Sequence, residues 1–153
     1  MSGRVPLIFL PLNSEFETAV RASFSNQKIM RTIGARLERV APGEVSIELP
    51  FREDLTQQDG FLHAGVVAAI LDSACGYAAM TLVPAEARVL TVEFKANFLA
   101  PARGAAFVAR ASVRRAGRTL TTCQADAFSE AAGQETLIAT MLATIMTLSP
   151  SVA

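Results

Sequence analysis

The chain carries no net charge, two cysteines, one histidine and no repeated or low-complexity segment. Each shortage removes a class of function. Lys and Arg number 14 and are balanced by 14 Asp and Glu, so no basic footprint points to nucleic acid. The one local concentration of positive charge is Arg110, Arg114, Arg115 and Arg118. Cys75 and Cys123 stand in apolar surroundings without metal-ligand spacing; they read as reduced core residues, and neither a metal nor a redox cofactor is expected. A Cys75–His63 pair is excluded within one chain, because the two lie on one expected helix about 18 Å apart along its axis. The N-terminal "VPLIFLPL" is short, holds two prolines and lacks a small-residue cleavage site, which argues against a secretory signal and for a cytoplasmic protein.

What is present is apolar. Of 153 residues, 51% are hydrophobic and 18% are charged, which fits one globular domain over residues 1–153. A domain of this size buries about 68–70% of its unfolded surface and needs no staples. The most apolar segment runs from Ala64 to Pro84, and its only formally charged side chain is Asp72. As a membrane span it is long enough, but Asp72 at its midpoint costs about 2.5–3.5 kcal/mol on insertion scales, and Ser73, Tyr77 and two glycines dilute it. It reads instead as a helix buried in a soluble domain.

The rest of the chain is organised around it. Residues 1–30 form an N-terminal extension in which Glu15 to Met30 reads as an amphipathic helix, with Phe16, Val20 and Phe24 at helical spacing after a cap at Asn13 or Ser14. "IGARLERV" and "EVSIELPF" flank a turn at Pro42–Gly43, and in the second Val45, Ile47, Leu49 and Phe51 alternate with polar residues as in a half-buried strand. After a polar loop and the apolar helix, Leu90, Val92, Phe94, Ala96 and Phe98 alternate with Thr91, Glu93, Lys95 and Asn97. "AAFVARASVRR" and "RTLTTCQADAF" then form a hairpin, and "TLIATMLATIMTL" follows a turn at Ala132–Gln134. Grouped strands with one segregated helix predict an α+β domain whose antiparallel sheet curls round that helix. One sheet wraps only part of a helix this apolar, so the remainder is expected to meet another subunit.

A carboxylate in such a segment must be paired, protonated or reachable by solvent. Two readings stay open: a structural hydrogen bond near Ser73 at a dimer interface, or a catalytic carboxylate on a cleft wall. "GFLHAGVVAAILDSACGYAA", "LTVEFKANFLAPA" and "RRAGRTL", in that order, resemble the PaaI-like group of hotdog-fold acyl-CoA thioesterases over Leu55 to Leu148. The resemblance implies a hotdog fold and hydrolysis of an acyl- or aryl-CoA thioester. It places the family's His-Gly-Gly turn on His63-Ala64-Gly65, with Ala64 where the family has its first Gly, and the acidic residue nine positions after the His on Asp72. It further implies that Gln57, beside Gln58, stands at the place of a loop Asn, that Thr91 assists the acid, and that His63 shapes the turn rather than moving a proton. Asn97 and the hairpin Arg115, Ala116, Gly117, Arg118 and Thr119 fall where relatives line the CoA channel.

Elementary chemistry agrees with these roles. The amides of Ala64 and Gly65 at a helix start suit a thioester oxyanion, and Asp72 can attack the carbonyl or deprotonate water. Ala64 and Asp72 stand about 12 Å apart along one helix, yet both must reach one carbonyl. Asp72 of one chain is therefore expected to serve Ala64 of another, in a homodimer that the resemblance extends to a dimer of dimers, with acyl-CoA as substrate and no nucleic acid or membrane as partner. Hotdog hydratases need a His beyond the acid, and none follows Asp72. Against the enzyme stand two rivals: a non-catalytic acyl-CoA-binding module and a scaffold dimer that binds no CoA.

Overall fold

The computed structural model describes residues 8–150. Helices α1 (Phe16–Asn26) and α2 (Lys28–Ile33) lead into strands β1 (Arg36–Ala41) and β2 (Glu44–Pro50). A 3₁₀ turn at Glu53–Leu55 precedes helix α3 (Ala64–Met80), and strands β3 (Arg88–Phe98), β4 (Ala106–Ala116), β5 (Leu120–Ala131) and β6 (Gln134–Leu148) follow. All strand pairs are antiparallel, in one sheet of order β1-β2-β4-β5-β6-β3. The expected α+β architecture is the observed one. Residues 5–7 of the apolar N-terminal stretch lie outside the described residues.

The sheet can wrap α3 closely because its inner face is floored with small side chains. Paired residues share a face, and the register lines up Ile47, Ala109, Ala127 and Ala139 in one row and Val45, Ala111, Ala125 and Met141 in the next. All eight are buried. Alanines here let the backbone of α3 approach, and α3 meets them with its own buried Ala74, Ala78 and Ala79 and with Ile70 and Leu71. Cys75 on α3 and Cys123 on β5 belong to this core, and the Cys123 thiol donates to the Cys75 carbonyl at 3.5 Å. Hydrogen bonding with Cys123 and burial push the Cys75 thiol far up, so it stays protonated. The reduced-core reading of both holds.

Three local readings need correction. The single helix expected over Glu15–Met30 is broken at Gln27, whose ψ of 101° is extended. Ser25 turns its hydroxyl back to the Ala22 carbonyl at 2.8 Å, and Ser, Asn and Gln in succession hold a helix poorly. Of the two candidate caps, Asn13 is the one engaged, accepting from the Glu15 N–H at 3.0 Å. Strand β2 ends at Pro50 and leaves Phe51 exposed. The third correction bears on function. The pairing of β3 with β6 slips between Thr91 and Glu93, so Val92 is a bulge. Before it Thr91 faces Ile145, and after it Phe94, Ala96 and Phe98 face Ala143, Met141 and Ala139. Thr91 therefore shares the inner face with the phenylalanines, while Glu93, Lys95 and Asn97 share the outer one.

The loop of the β5–β6 hairpin is Ala132–Gly133, with φ of 50° and 76°. Two successive positive φ values are the signature of a type I′ turn, where asparagine fits and alanine is strained. Ala132→Asn should raise stability by about 0.5–1 kcal/mol, read as a higher urea midpoint at unchanged slope.

Candidate active site

Helix α3 is not covered by the sheet alone. The N-terminal α1 lies across part of it: the Phe24 and Tyr77 rings stand 5.7 Å apart, Ser23 Oγ is 3.4 Å from Tyr77 Oη, and Ser73 Oγ is 3.4 Å from Gln27 Oε1. Part of the cover expected from another subunit thus comes from the same chain. Burial pushes the Tyr77 hydroxyl up, and it stays neutral.

Between α1, α3 and the start of β3 opens a cleft of about 630 Å³. Asp72 lines it and is half-buried, with its Oδ1 accepting from Thr91 Oγ1 at 2.7 Å. The Val92 bulge makes this bond possible by bringing Thr91 to the inner face. Among the described residues no other side chain donates to the carboxylate, which leaves Oδ2 for a ligand or water. Sequence reasoning named Tyr77 and Met80 as core or pocket residues, and both line the cleft; it missed Ser23 of α1, Gln27 just after that helix, and Gly76 of α3. Gly76 carried a legible signal, because a glycine inside a helix costs about 1 kcal/mol relative to alanine and stands one turn from Asp72. Ser23 and Gln27 carried none, since only tertiary packing brings α1 here.

The start of α3 is built by His63. Its Nδ1 accepts from the Gly65 N–H at 2.8 Å, and its carbonyl accepts from Val66 N–H at 2.9 Å. The imidazole is the helix N-cap, in keeping with a shaping role. The Gly65 amide is thereby occupied. The Ala64 N–H meets no backbone acceptor among the described residues, and His63, Ala64 and Gly65 are all exposed. Ala64 and Gln57 line a second pocket of about 260 Å³, with Phe61, Val67 and Phe98. Gln57 Oε1 accepts from the Asp59 N–H, which fixes the amide within its own loop. Removing the cap by His63→Ala should cost about 0.5–2 kcal/mol in urea unfolding, and His63→Asn should recover it, since asparagine caps well.

The acid and the open amide line separate pockets of the single chain. The basic hairpin divides as well. Arg110 pairs with Glu135 and Arg114 with the Gln124 side chain, whereas no carboxylate pairs with Arg115 or Arg118 among the described residues. Arg115, Ala116, Gly117, Arg118 and Thr119 are exposed. Gly117 has no room for a side chain, since a Cβ would stand 2.5 Å from the Leu120 carbonyl oxygen. Thr121 pairs with Ile145 and Ile145 with Thr91, so the hairpin tip and the Asp72 cleft lie at the same end of the sheet. Asn97 lies on the outer face about 20 Å along β3 from Thr91 and lines neither pocket. No group of side chains among the described residues has the makings of a metal site, and no described helix is long and apolar enough to cross a membrane.

Comparison with known proteins places this geometry. The family model described as "Thioesterase superfamily" matches residues 59–136. A thioesterase family protein from Silicibacter pomeroyi of known crystal structure is 53% identical, with a TM-score of 0.86 over 87% of this chain and 98% of its own. Human acyl-coenzyme A thioesterase 13 is 27% identical over 127 residues, 80% of this chain and 89% of its own. The Escherichia coli PaaI protein, 15% identical, superimposes with a TM-score of 0.80 over 90% of this chain and 96% of its own, a likeness of fold. With its curled antiparallel sheet around α3 and its family match across the His63 turn and Asp72, the chain belongs to the thioesterase superfamily and has the hotdog fold.

Proposed function

We propose that the chain is one hotdog domain that hydrolyses an acyl- or aryl-CoA thioester in the cytoplasm, with Asp72 as nucleophile or general base and the Ala64 N–H as oxyanion donor. The observation that carries the reading is the Asp72 carboxylate, held by Thr91 at 2.7 Å on the wall of a cleft. In one route the carboxylate attacks the carbonyl carbon, the C–S bond breaks and CoA leaves as thiolate, and water cleaves the mixed anhydride. In the other, Asp72 takes a proton from the water that attacks, and the same C–S bond breaks. In heavy-oxygen water the Asp72 peptide gains label only in the first route, where water attacks the aspartyl carbonyl of the anhydride. The Ala64 N–H at the positive end of α3 stabilises the charge that develops on oxygen in both. Arg115 and Arg118 supply cations for the CoA phosphates.

The site is completed by a second copy. Strand β3 is a sheet edge of 11 residues, and Leu90, Val92, Phe94 and Phe98 on it are 58%, 52%, 44% and 50% exposed. A long, apolar, bare edge calls for a partner strand, whereas the other edge, β1, carries Arg36, Glu38 and Arg39. Thr91 marks the acid cleft at one end of β3 and Phe98 the amide pocket at the other, about 23 Å apart. Antiparallel pairing of two β3 strands about a two-fold axis at Phe94 brings the Thr91 end of one copy to the Phe98 end of the other. Each acid then meets the other copy's α3 start, and two such dimers can associate further. Release of free thiol from acetyl-, hexanoyl-, decanoyl-, palmitoyl- and phenylacetyl-CoA tests the reading. Binding without turnover, indifferent to Asp72→Asn, would make the chain a binding module instead.

A further inference from the structure

The clasp at the start of α3 is made with a group whose kind changes charge near neutral pH. Helix caps are ordinarily Ser, Thr, Asp or Asn, whose oxygens accept throughout the physiological range. Here the acceptor is His63 Nδ1, 2.8 Å from the Gly65 nitrogen. A ring nitrogen accepts only while it carries no proton, so the ring in this seat is neutral with its hydrogen on Nε2. The seat is fitted to the ring. A Cβ at Gly65 would stand 3.0 Å from His63 Nδ1 and 3.2 Å from Cε1, tighter than side chains ordinarily pack, so glycine makes room for the imidazole. His63 is exposed, within reach of protons from solvent.

Nothing nearby holds a charged ring in that seat. The ionisable groups on the segments around the turn are Arg52, Glu53, Asp54, Asp59 and Arg103, with Asp72 about 13 Å along α3. Asp54 pairs with Arg52, Asp59 accepts from the Gln57 and Gln58 amides, and Arg103 lies over the Phe61 ring. Among the described residues none forms an ion pair with His63. An imidazolium left in the seat would face the Gly65 N–H and the positive end of α3, and both repel it.

We propose that His63 is a proton-operated positioning residue. Neutral, it clasps the first turn of α3 and so aims the Ala64 N–H; protonated on Nδ1, it leaves Gly65, and the neighbouring amide loses its fixed direction. The inference rests on the thioesterase reading above, which makes that N–H the oxyanion donor. In the pairing of two β3 strands the partner's Asp72 comes to this same turn, where the released imidazolium pairs with it. One proton then withdraws both the aimed amide and the free carboxylate.

The test is kcat/KM at about pH 7.5 and 5.5 on whichever of the CoA thioesters above turns over fastest. The wild type is compared with His63→Asn, whose amide oxygen caps at both pH values. The wild-type value should fall about 10-fold between the two, because imidazoles change charge within this range, and the fall in His63→Asn should shrink to about 2-fold or less. An equal fall in both proteins assigns the acid limb to another group and removes this inference alone. A second readout needs no turnover and no variant. In long-range proton–nitrogen correlation spectra of the untagged chain, which has one histidine, the neutral ring should carry its proton on Nε2. The Gly65 amide should shift in step with the titration of that ring. A proton on Nδ1, or a Gly65 amide indifferent to the titration, overturns the clasp itself. A wild type that turns over no CoA thioester at about pH 7.5 overturns the thioesterase reading and this inference with it.

Discussion

Asp72→Asn should lower the proposed acyl-CoA turnover by about 100- to 10,000-fold while the fold and the proposed dimer persist. Asparagine is nearly the same shape, and its Oδ1 still accepts from the Thr91 hydroxyl that holds the aspartate at 2.7 Å. What is lost is the negative charge and the basic or nucleophilic lone pair, which are the only properties either route of hydrolysis asks of this residue. The change lies in kcat rather than KM if the carboxylate acts only in the transition state. Circular dichroism and sedimentation velocity verify that the variant is folded and associated, and the thiol-release assay gives the rate. A variant with wild-type turnover leaves Asp72 as a structural hydrogen-bond acceptor and ends the assignment.

Ala64→Pro should remove the proposed oxyanion donor without disturbing α3, lowering kcat by about 100- to 1,000-fold. Ala64 is the first helical residue, a position where proline is at home because its N–H has no partner in the helix. The residue before a proline must be extended, and His63, with φ −61° and ψ 135°, already is. The substitution therefore deletes one hydrogen atom of interest at little structural cost. It also tests the shared site. Co-expressed with Asp72→Asn chains, Ala64→Pro chains form mixed dimers in which one site joins both defects and the other joins neither. Random pairing should restore about a quarter of the wild-type activity from two inactive chains. If acid and amide of the same chain worked together, the mixture would stay as inactive as its components.

How much of this was legible in the residues differs from element to element. Helix α3 and the succession of strands along the chain emerge from periodicity because burial imposes it directly: a helix packed on nearly every side has no polar face, and β2 alternates where one face meets the core. Asp72 stood out because a lone charge in that segment demands an explanation. The Val92 bulge was invisible, since apolar alternation continues through it from Leu90 to Phe98 while the register slips beneath. Alternation put Thr91 on the polar face with Glu93 while the family resemblance set it beside the acid, and the pairing with β6 explains how it turns inward to Asp72. Likewise Arg110, Arg114, Arg115 and Arg118 form one cluster in sequence but not in space, because cross-strand partners absorb the first two. The wall made by Ser23 and Gln27 depends on where α1 docks, a long-range matter that no local pattern encodes.

The seclusion of the two sulfurs has a practical side. Cys75 and Cys123 are both 0% exposed, and the Cys75 thiol is held protonated. The native protein consequently contributes no background colour to a reagent that counts liberated CoASH, even at high enzyme concentration. When the fold opens, both become reactive together, so labelling by a maleimide in slow excess keeps time on global opening. One feature of the core thus serves as a silent bystander in the kinetic assay and as a stopwatch for unfolding.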